Sequence, residues 1–155
     1  MAGKYLTFKL AEEEYGLEIL KVQEIIRMQV VTRVPKTPQY VRGVINLRGK
    51  VIPVVNLRSK FKMEHLEDTE KTCIIVVQIK NSDTTIVMGI IIDEVKEVLD
   101  IDAKNIEETP TFDSSINTEF IMGMGKVGGD VKILLDIDKV LSAGEISKIA
   151  DSIKE

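Results

Sequence analysis

The stretch Gly43–Phe61, GVINLRGKVIPVVNLRSKF, lies without gaps over Gly123–Leu141, GMGKVGGDVKILLDIDKVL, at an offset of 80 residues. The matched positions include Gly43 with Gly123, Gly49 with Gly129, Val51 with Val131 and Asn56 with Asp136. Nearer the N-terminus, Gly16–Ile25 lies over Gly89–Val98 at an offset of 73. Two gapless blocks in the same order predict a tandem duplication. The second copy has the longer connection, at Thr109–Asn117, which is rich in turn residues.

Both copies consist mainly of short strand-like segments. Runs rich in β-branched residues and bounded by Gly, Pro or Asn occur at Tyr5–Leu10, Val44–Leu47, Val51–Val55, Cys73–Ile79, Thr84–Ile92 and Val131–Leu135. One copy is too short for a large sheet, and a closed barrel of about five strands removes exposed edges. We therefore predict an all-β protein of two tandem barrels packed together, the first over 4–66 and the second over 67–141.

Helical signals are confined to short stretches and to the end of the chain. Asn56 and Asp136 each follow an apolar strand and precede a short helical pattern, so both are predicted to cap a helical turn. A C-terminal helix over 142–155 is predicted because Ser142 and Glu145 form a capping box. Its apolar face would contain Ile146, Ile149 and Ile153.

The charge of the chain is unevenly distributed along the sequence. The net charge is -4, yet the segment 27–62 contains nine Lys and Arg and no Asp or Glu. Such a segment is either a solvated basic face or a docking surface for an acidic protein partner. With 44% apolar residues, no signal-like start and no apolar run of membrane-spanning length, we predict a cytoplasmic protein without membrane insertion.

Residues that could support catalysis are few. A single histidine, His65, and a single cysteine, Cys73, cannot form a zinc site or a Cys/His nucleophile pair. The stretch Gly123–Gly128 matches a dinucleotide-binding pattern, but a strand pattern follows it, which favours a β turn. We therefore predict a protein that is not an enzyme and binds no cofactor.

Two acid pairs leave a metal-binding alternative to consider. Asp100 with Asp102, and Asp136 with Asp138, could hold a divalent cation through their carboxylates. Each pair stands where a strand gives way to a helical pattern, where acids satisfy free amides. We therefore interpret both pairs as caps and predict no metal site.

Binding of single-stranded nucleic acid through the basic 27–62 segment is the alternative function. It would require aromatic rings for base stacking beside the basic residues. Tyr40 lies near Arg42, but only 5% of the residues are aromatic and there is no Trp. We therefore expect no nucleic-acid partner, and the same shortage disfavours recognition of proline-rich peptides.

Four motifs carry a resemblance to a known family. They are Glu13–Ile25 (EEYGLEILKVQEI), Thr32–Pro38 (TRVPKTP), Gln39–Arg58 (QYVRGVINLRGKVIPVVNLR) and Ser115–Gly125 (SINTEFIMGMG). Together they resemble the CheW family of chemotaxis coupling proteins, and the resemblance covers essentially the whole chain. It implies a single CheW-like domain over 1–155, built from two five-stranded SH3-like barrels.

The resemblance also implies a function and a set of site residues. Members of this family are non-catalytic adaptors that bind the cytoplasmic tip of methyl-accepting chemoreceptors and the regulatory domain of the histidine kinase CheA. The receptor helix is expected in the groove between the barrels, with Arg48 associated with receptor coupling and Glu24 paired with Arg48. The partner-binding residues implied for this sequence are Val22, Glu24, Gly43, Arg48 and Gly49.

Overall fold

The computed structural model describes residues 3–81, 84–109, 119–141, 144–145 and 148–149. Strands dominate these residues, with two four-residue helices and two 3-10 turns at Ile19–Lys21 and Ala103–Asn105. The strands are β1 Gly3–Leu10, β2 Glu13–Glu18, β3 Val22–Arg27, β4 Val41–Leu47, β5 Lys50–Asn56, β6 Cys73–Asn81, β7 Thr84–Ile92, β8 Glu94–Ile101, β9 Ile106–Glu107, β10 Ile121–Val127 and β11 Asp130–Leu135. The helices are α1 Leu57–Lys60 and α2 Ile137–Val140. The predicted all-β class is confirmed.

The strands form two sheets. The first sheet has the order β8-β1-β2-β11-β10-β9, and the second sheet has the order β3-β6-β7-β5-β4. Each sheet contains one parallel pair, β2 with β11 in the first and β5 with β7 in the second. In the first sheet, the two-residue strand β9 pairs with β10. At the equivalent position of the second sheet, Thr32 forms an isolated bridge with Val44 of β4.

The copies of the duplication exchange strands, which the sequence did not predict. The first sheet combines β1 and β2 of the first copy with β8–β11 of the second, whereas the second sheet combines β3–β5 with β6 and β7. The sheets therefore do not correspond to the predicted division at 4–66 and 67–141. The cause is the short crossing after β2 and after β7, because the turn at Ile19–Lys21 and the single residue Asp93 lead directly into the other sheet.

The duplication itself is visible in the backbone. Hairpin β4–β5 with α1 reappears as hairpin β10–β11 with α2 at the predicted offset of 80. Both hairpins have an irregular register at the same place, between Val41 and Gly43 and between Ile121 and Gly123. The two parallel strand pairs also have the same register. Val54 lies opposite Gly89 in one pair, and the residues matched to them, Leu134 and Gly16, lie opposite each other in the other pair.

The largest apolar core lies between the two sheets. It contains Leu6 and Phe8 of β1 together with Ile75 and Val77 of β6, all of them buried. The neighbouring side chains in these strands point the other way, into a smaller cluster formed by each sheet. Strands buried on both faces read as continuous apolar runs. This explains the run that starts at Cys73, and it makes the two sheets one body that shares a core.

The caps predicted at Asn56 and Asp136 are confirmed, but the prediction that Asp100 and Asp102 form a cap is wrong. Asp102 precedes the 3-10 turn without a side-chain hydrogen bond to it, and Asp100 instead accepts a hydrogen bond from Lys4 Nζ at 3.1 Å. The Asn56 side chain accepts a hydrogen bond from the Ser59 amide at 3.4 Å, and Asp136 accepts one from the Asp138 amide at 3.1 Å. Of the predicted C-terminal helix, residues 144–145 and 148–149 are helical, and Ile149 is buried in the core between the sheets. Its other predicted members and most of the Thr109–Asn117 connection lie outside the described residues.

Candidate functional site

Arg48 occupies a strained position in the turn between β4 and β5. Its φ is +51° and that of Gly49 is +89°, which are the values of a tight two-residue hairpin turn. The Asn46 side chain accepts a hydrogen bond from the Gly49 amide at 2.8 Å and closes the turn. A residue with a side chain is strained at such a φ, whereas glycine is not. The turn thus holds an exposed arginine where glycine would be more relaxed.

Glu24 and Arg48 form a two-point ion pair across the second sheet. Arg48 Nη1 donates to Glu24 Oε1 at 3.0 Å, and Arg48 Nη2 donates to Glu24 Oε2. The hydrogen bonds from Arg48 lower the pKa of Glu24, and the bond to Glu24 raises the pKa of Arg48. The expected pairing of these two residues is therefore present. Paired arginine and carboxylate present a fixed polar pattern to a partner.

The other three residues implied by the resemblance have structural reasons to be where they are. Val22 is half-buried and packs against the core between the sheets. A Cβ at Gly43 would lie 2.1 Å from the carbonyl oxygen of Thr32, so only glycine fits there. Gly49 has open space around it, and its positive φ explains the residue. Contact of these three residues with a partner stays a prediction.

A cavity of about 290 Å³ opens beside Arg48. It is lined by Gln23, Leu47, Arg48, Lys50, Ile52 and Val87. Sequence reasoning did not single out Ile52 or Val87, because each looks like an ordinary strand residue. Their matched positions in the other copy carry charged residues, and that difference was the available signal.

The sequence profile of the CheW-like domain matches residues 4–145. The chain belongs to the CheW-like domain family. Chemotaxis protein CheW of Klebsiella aerogenes is 40% identical to it, covering 94% of this chain and 86% of that protein. Chemotaxis protein CheW of Treponema pallidum is 33% identical over the same shares of both chains. The resemblance drawn from the motifs is thus confirmed.

A solved structure of a CheW protein shows the same fold. The scaffolding protein TtCheW from Thermoanaerobacter tengcongensis matches with a TM-score of 0.80 at 36% sequence identity. The match covers 90% of this chain and 92% of that one. The two-sheet architecture described above is therefore the architecture of a CheW-like domain.

The basic 27–62 segment surrounds a cleft of about 670 Å³ in this CheW-like domain. Its cationic lining includes Arg33, Arg42, Arg58 and Lys62. Arg42 binds Asp68 at 2.6 Å and Arg58 binds Asp93 at 2.8 Å, so two of these charges are compensated within the chain. The folded segment therefore presents less uncompensated positive charge than its count of Lys and Arg suggests.

The nucleic-acid alternative would need the ring of Tyr40 for base stacking, but other side chains of the protein already contact this ring. It is half-buried, and Lys60 Nζ lies 5.0 Å from its ring centroid. Burial raises the pKa of Tyr40, and a hydrogen bond to Glu145 adds to the effect. A ring that is covered by a lysine and whose hydroxyl is held by Glu145 is poorly placed to stack on a base.

Arg58 and Asp93 form a clamp that the sequence analysis missed. Arg58 Nε donates to Asp93 Oδ1 at 3.0 Å and Arg58 Nη2 to Asp93 Oδ2 at 2.8 Å. The Ala11 amide also donates to Asp93 Oδ2, at 2.8 Å. The clamp therefore ties α1 to the β1–β2 turn and to the crossing between the sheets. Nothing in the sequence pairs residues 35 positions apart, so only the fold reveals it.

Residues suited to chemistry are scattered in the described part of the chain. No group of three or more His, Cys, Asp or Glu within it could hold a metal ion. Asp138 instead accepts hydrogen bonds from Lys21 Nζ at 2.8 Å and from the Lys80 amide at 2.9 Å.

Burial raises the pKa of the half-buried Cys73. Among the described helices, none combines the length and the apolar character needed to cross a membrane.

Proposed function

We propose that this chain is a non-catalytic chemotaxis adaptor that couples methyl-accepting chemoreceptors to the histidine kinase CheA. Its membership of the CheW-like domain family supports the proposal, as do relatives named chemotaxis proteins and a structural relative named a scaffolding protein. The observation that carries it is the Glu24–Arg48 pair. A strained, exposed arginine fixed by a carboxylate costs the fold stability, and strain of this kind is concentrated at functional sites.

The architecture suits an adaptor. Two sheets joined through one shared core offer separate surfaces in a fixed relative position. A receptor tip on one surface and the regulatory domain of CheA on another are held at high effective concentration, so each contact can be weak. Control of the kinase then requires no bond-breaking step and no cofactor in this chain. Its place is in the cytoplasm, at receptor arrays on the inner face of the membrane.

The proposal is tested with purified chain, CheA and receptor fragments in one mixture. Receptor control of kinase activity is expected only when the chain is present. Arg48→Asp should weaken receptor binding by about tenfold or more, because it places a like charge opposite Glu24. Binding is measured by calorimetry, and the unfolding transition checks that the variant is folded.

Lys126→Asp is the matched control. Lys126 lies in the other hairpin, where it forms an exposed ion pair with Glu107 at 3.0 Å. The same charge reversal there should leave receptor binding within about twofold, because Lys126 lies in the first sheet and takes no part in the Glu24–Arg48 pair of the second sheet. Unchanged receptor binding in a folded Arg48→Asp variant would contradict the role of Arg48. Kinase control without the chain would contradict the adaptor function as a whole.

A further inference from the structure

The cleft of about 670 Å³ in the basic segment is lined by cations, and none of its lining residues is Asp or Glu. A second cavity of about 330 Å³ adjoins it, shares Arg33 and Arg42 with it, and adds Lys36. No acid and no aromatic ring lines this second cavity either. A concave surface that carries charge of one sign concentrates ions of the opposite sign. The two cavities together therefore form a region that attracts anions.

Two cations of the cleft carry charge that the described part of the chain does not neutralise. Arg33 and Lys62 are exposed, and neither forms an ion pair within the described residues. Lys62 is also strained, because its φ is +59°. It ends the turn of α1 in a position usually held by glycine, as its amide donates to the Ser59 carbonyl at 3.1 Å and the Met63 amide donates to the Arg58 carbonyl at 2.8 Å. Such strain at an exposed lysine points to a role other than folding.

The clamp fixes the guanidinium of Arg58 at the wall of the cleft. Nε and Nη2 donate to Asp93, and Nη1 donates to the Glu64 carbonyl oxygen at 2.8 Å. Each terminal nitrogen of a guanidinium carries two hydrogens, so Nη1 and Nη2 each keep one donor. A guanidinium that is held in place before a ligand arrives loses little freedom when it binds, and its planar fork matches the oxygens of a phosphate.

The matched surface of the second copy lacks these cations. The Asn56 amide donates to the Tyr40 carbonyl at 2.8 Å, and the Asp136 amide donates to the Phe120 carbonyl at the same distance. The offset of 80 residues therefore holds at the cleft. The matched pairs are Arg42 with Met122, Asn56 with Asp136 and Arg58 with Asp138. Since the same backbone forms without Arg42 and Arg58, the fold does not require cations at these positions.

The hairpin β10–β11 keeps its own cations paired. Lys132, which is matched to Ile52, donates from Nζ to Glu14 Oε1 at 2.7 Å, and its side chain is only 7% exposed. This buried pair closes the first sheet at the place where the second sheet has its open cavity. Lys126 pairs with Glu107 at 3.0 Å. Unpaired cations around a concave volume are thus a feature of the first copy that the duplication does not explain.

We propose that the cleft binds a small anion that carries two or more phosphate groups. Its volume is that of a small-molecule site, since ligand pockets usually measure roughly 300–1,000 Å³. Arg33 and Arg42 line both cavities, so a chain of phosphates spans the two. Guanidinium forks favour phosphate, and the absence of a lining aromatic ring leaves no place for a base to stack. The cleft shares no lining residue with the cavity beside Arg48, and its occupation does not depend on the proposed function.

Calorimetry with tripolyphosphate tests the site on the wild-type chain. Tripolyphosphate should bind at least about tenfold more tightly than citrate or a glutamate-rich peptide, because the guanidinium forks fit phosphate oxygens. ATP should bind within about threefold of tripolyphosphate, because the phosphates supply the contacts and the base has no ring to stack on. Added salt should weaken the binding of every phosphate ligand, since the cations are partly exposed.

The double variant Arg33→Gln with Lys62→Gln removes the two unpaired cations. Tripolyphosphate binding should weaken by about tenfold or more, and the unfolding transition should be preserved because both side chains are exposed. The matched control is Lys104→Gln with Lys139→Gln, which removes the same charge from exposed lysines of the second copy. It should leave tripolyphosphate binding within about twofold, because exposed charges act weakly beyond the screening length.

A second measurement locates the anion without substitution. The Nε–H NMR signals of Arg33 and Arg42 should shift when tripolyphosphate is added to the wild-type chain, whereas that of Arg48 should not. Absence of binding, unshifted Arg33 and Arg42 signals, or equal binding by the double variant and its control would each overturn the site. A glutamate-rich peptide that binds as tightly would identify a surface for acidic proteins, and much tighter ATP binding would identify a nucleoside site. Either result would also overturn the proposal.

Discussion

The hairpins β4–β5 and β10–β11 share a backbone but not a surface. Both turn through two residues of positive φ, and both are followed by a capped helical turn. The second hairpin uses Gly128 and Gly129 in its turn, and the first uses Arg48 and Gly49. The comparison teaches that the duplication preserved what the fold needs. The features specific to one hairpin then become the candidates for function.

Two ion pairs that connect the sheets, here called the ties, show the same principle. Arg58 of α1 binds Asp93, whereas at the matched position of α2 Asp138 binds Lys21. In each tie the acid also accepts a hydrogen bond from a backbone amide of a strand end or turn. The position of the ion pair is preserved although the direction of the charges is reversed. What the fold requires at this position is a pair, not a particular residue.

The largest effect is expected from separating the two copies. Fragments 1–66 and 67–155 should each be unfolded, because neither contains all the strands of a sheet. Mixed together, they should regain the native circular dichroism spectrum, since each sheet needs strands from both. A matched control inserts a flexible linker between 66 and 67 in the intact chain, which should stay folded. A cooperative unfolding transition in either isolated fragment would show that the exchange of strands is not essential.

A smaller effect should distinguish the two ties between the sheets. Asp93→Asn should lower the free energy of unfolding by about 2 to 3 kcal/mol, because it leaves the mostly buried Arg58 without its two-point partner. Asp138→Asn should cost only about 1 kcal/mol, because its single bond to Lys21 is more exposed. Urea unfolding of both variants measures the difference. Equal losses would mean that burial does not set the strength of these ties.

Arg48→Gly makes the first hairpin turn like the second. The strain of a positive φ is removed while an exposed ion pair is lost, so the melting temperature should stay unchanged or rise by up to roughly 3 °C. Receptor binding should fall even though the protein is as stable as before. Calorimetry gives both quantities on one sample. A clear drop in melting temperature would show that Arg48 is retained for stability.

The smallest effect concerns the titration of Glu24. Its pKa is lowered in the folded chain by the hydrogen bonds from Arg48, so the pair contributes stability above the ordinary glutamate range. The contribution is lost as the pH falls through the lowered folded-state pKa. In Arg48→Gly the pKa of Glu24, followed by carboxyl NMR, should return towards the ordinary value. The remote change Lys126→Gly should leave it where it is.

Much of the local structure could be predicted from the sequence. The caps Asn56 and Asp136 follow from patterns within a few residues of each other, and the duplication follows from two blocks that align without gaps at offsets of 80 and 73. The Glu24–Arg48 pair could be expected only through the resemblance to a family, because the two residues are 24 positions apart. The Lys132–Glu14 pair could not be expected at all, since neither residue differs in type from many other charged residues of the chain.

The sequence by itself determined that this protein is a duplicated all-β chain of the CheW-like kind, because strand patterns, turns and caps are local. Only the tertiary structure decided which copy supplies which strand to each sheet. Equivalent strands have the same alternation and the same matched glycines, so their sequences cannot say which of two equivalent partners they join. The open cavity at Ile52 and the closed one at Lys132 depend on that choice, since each is built where strands from both copies meet.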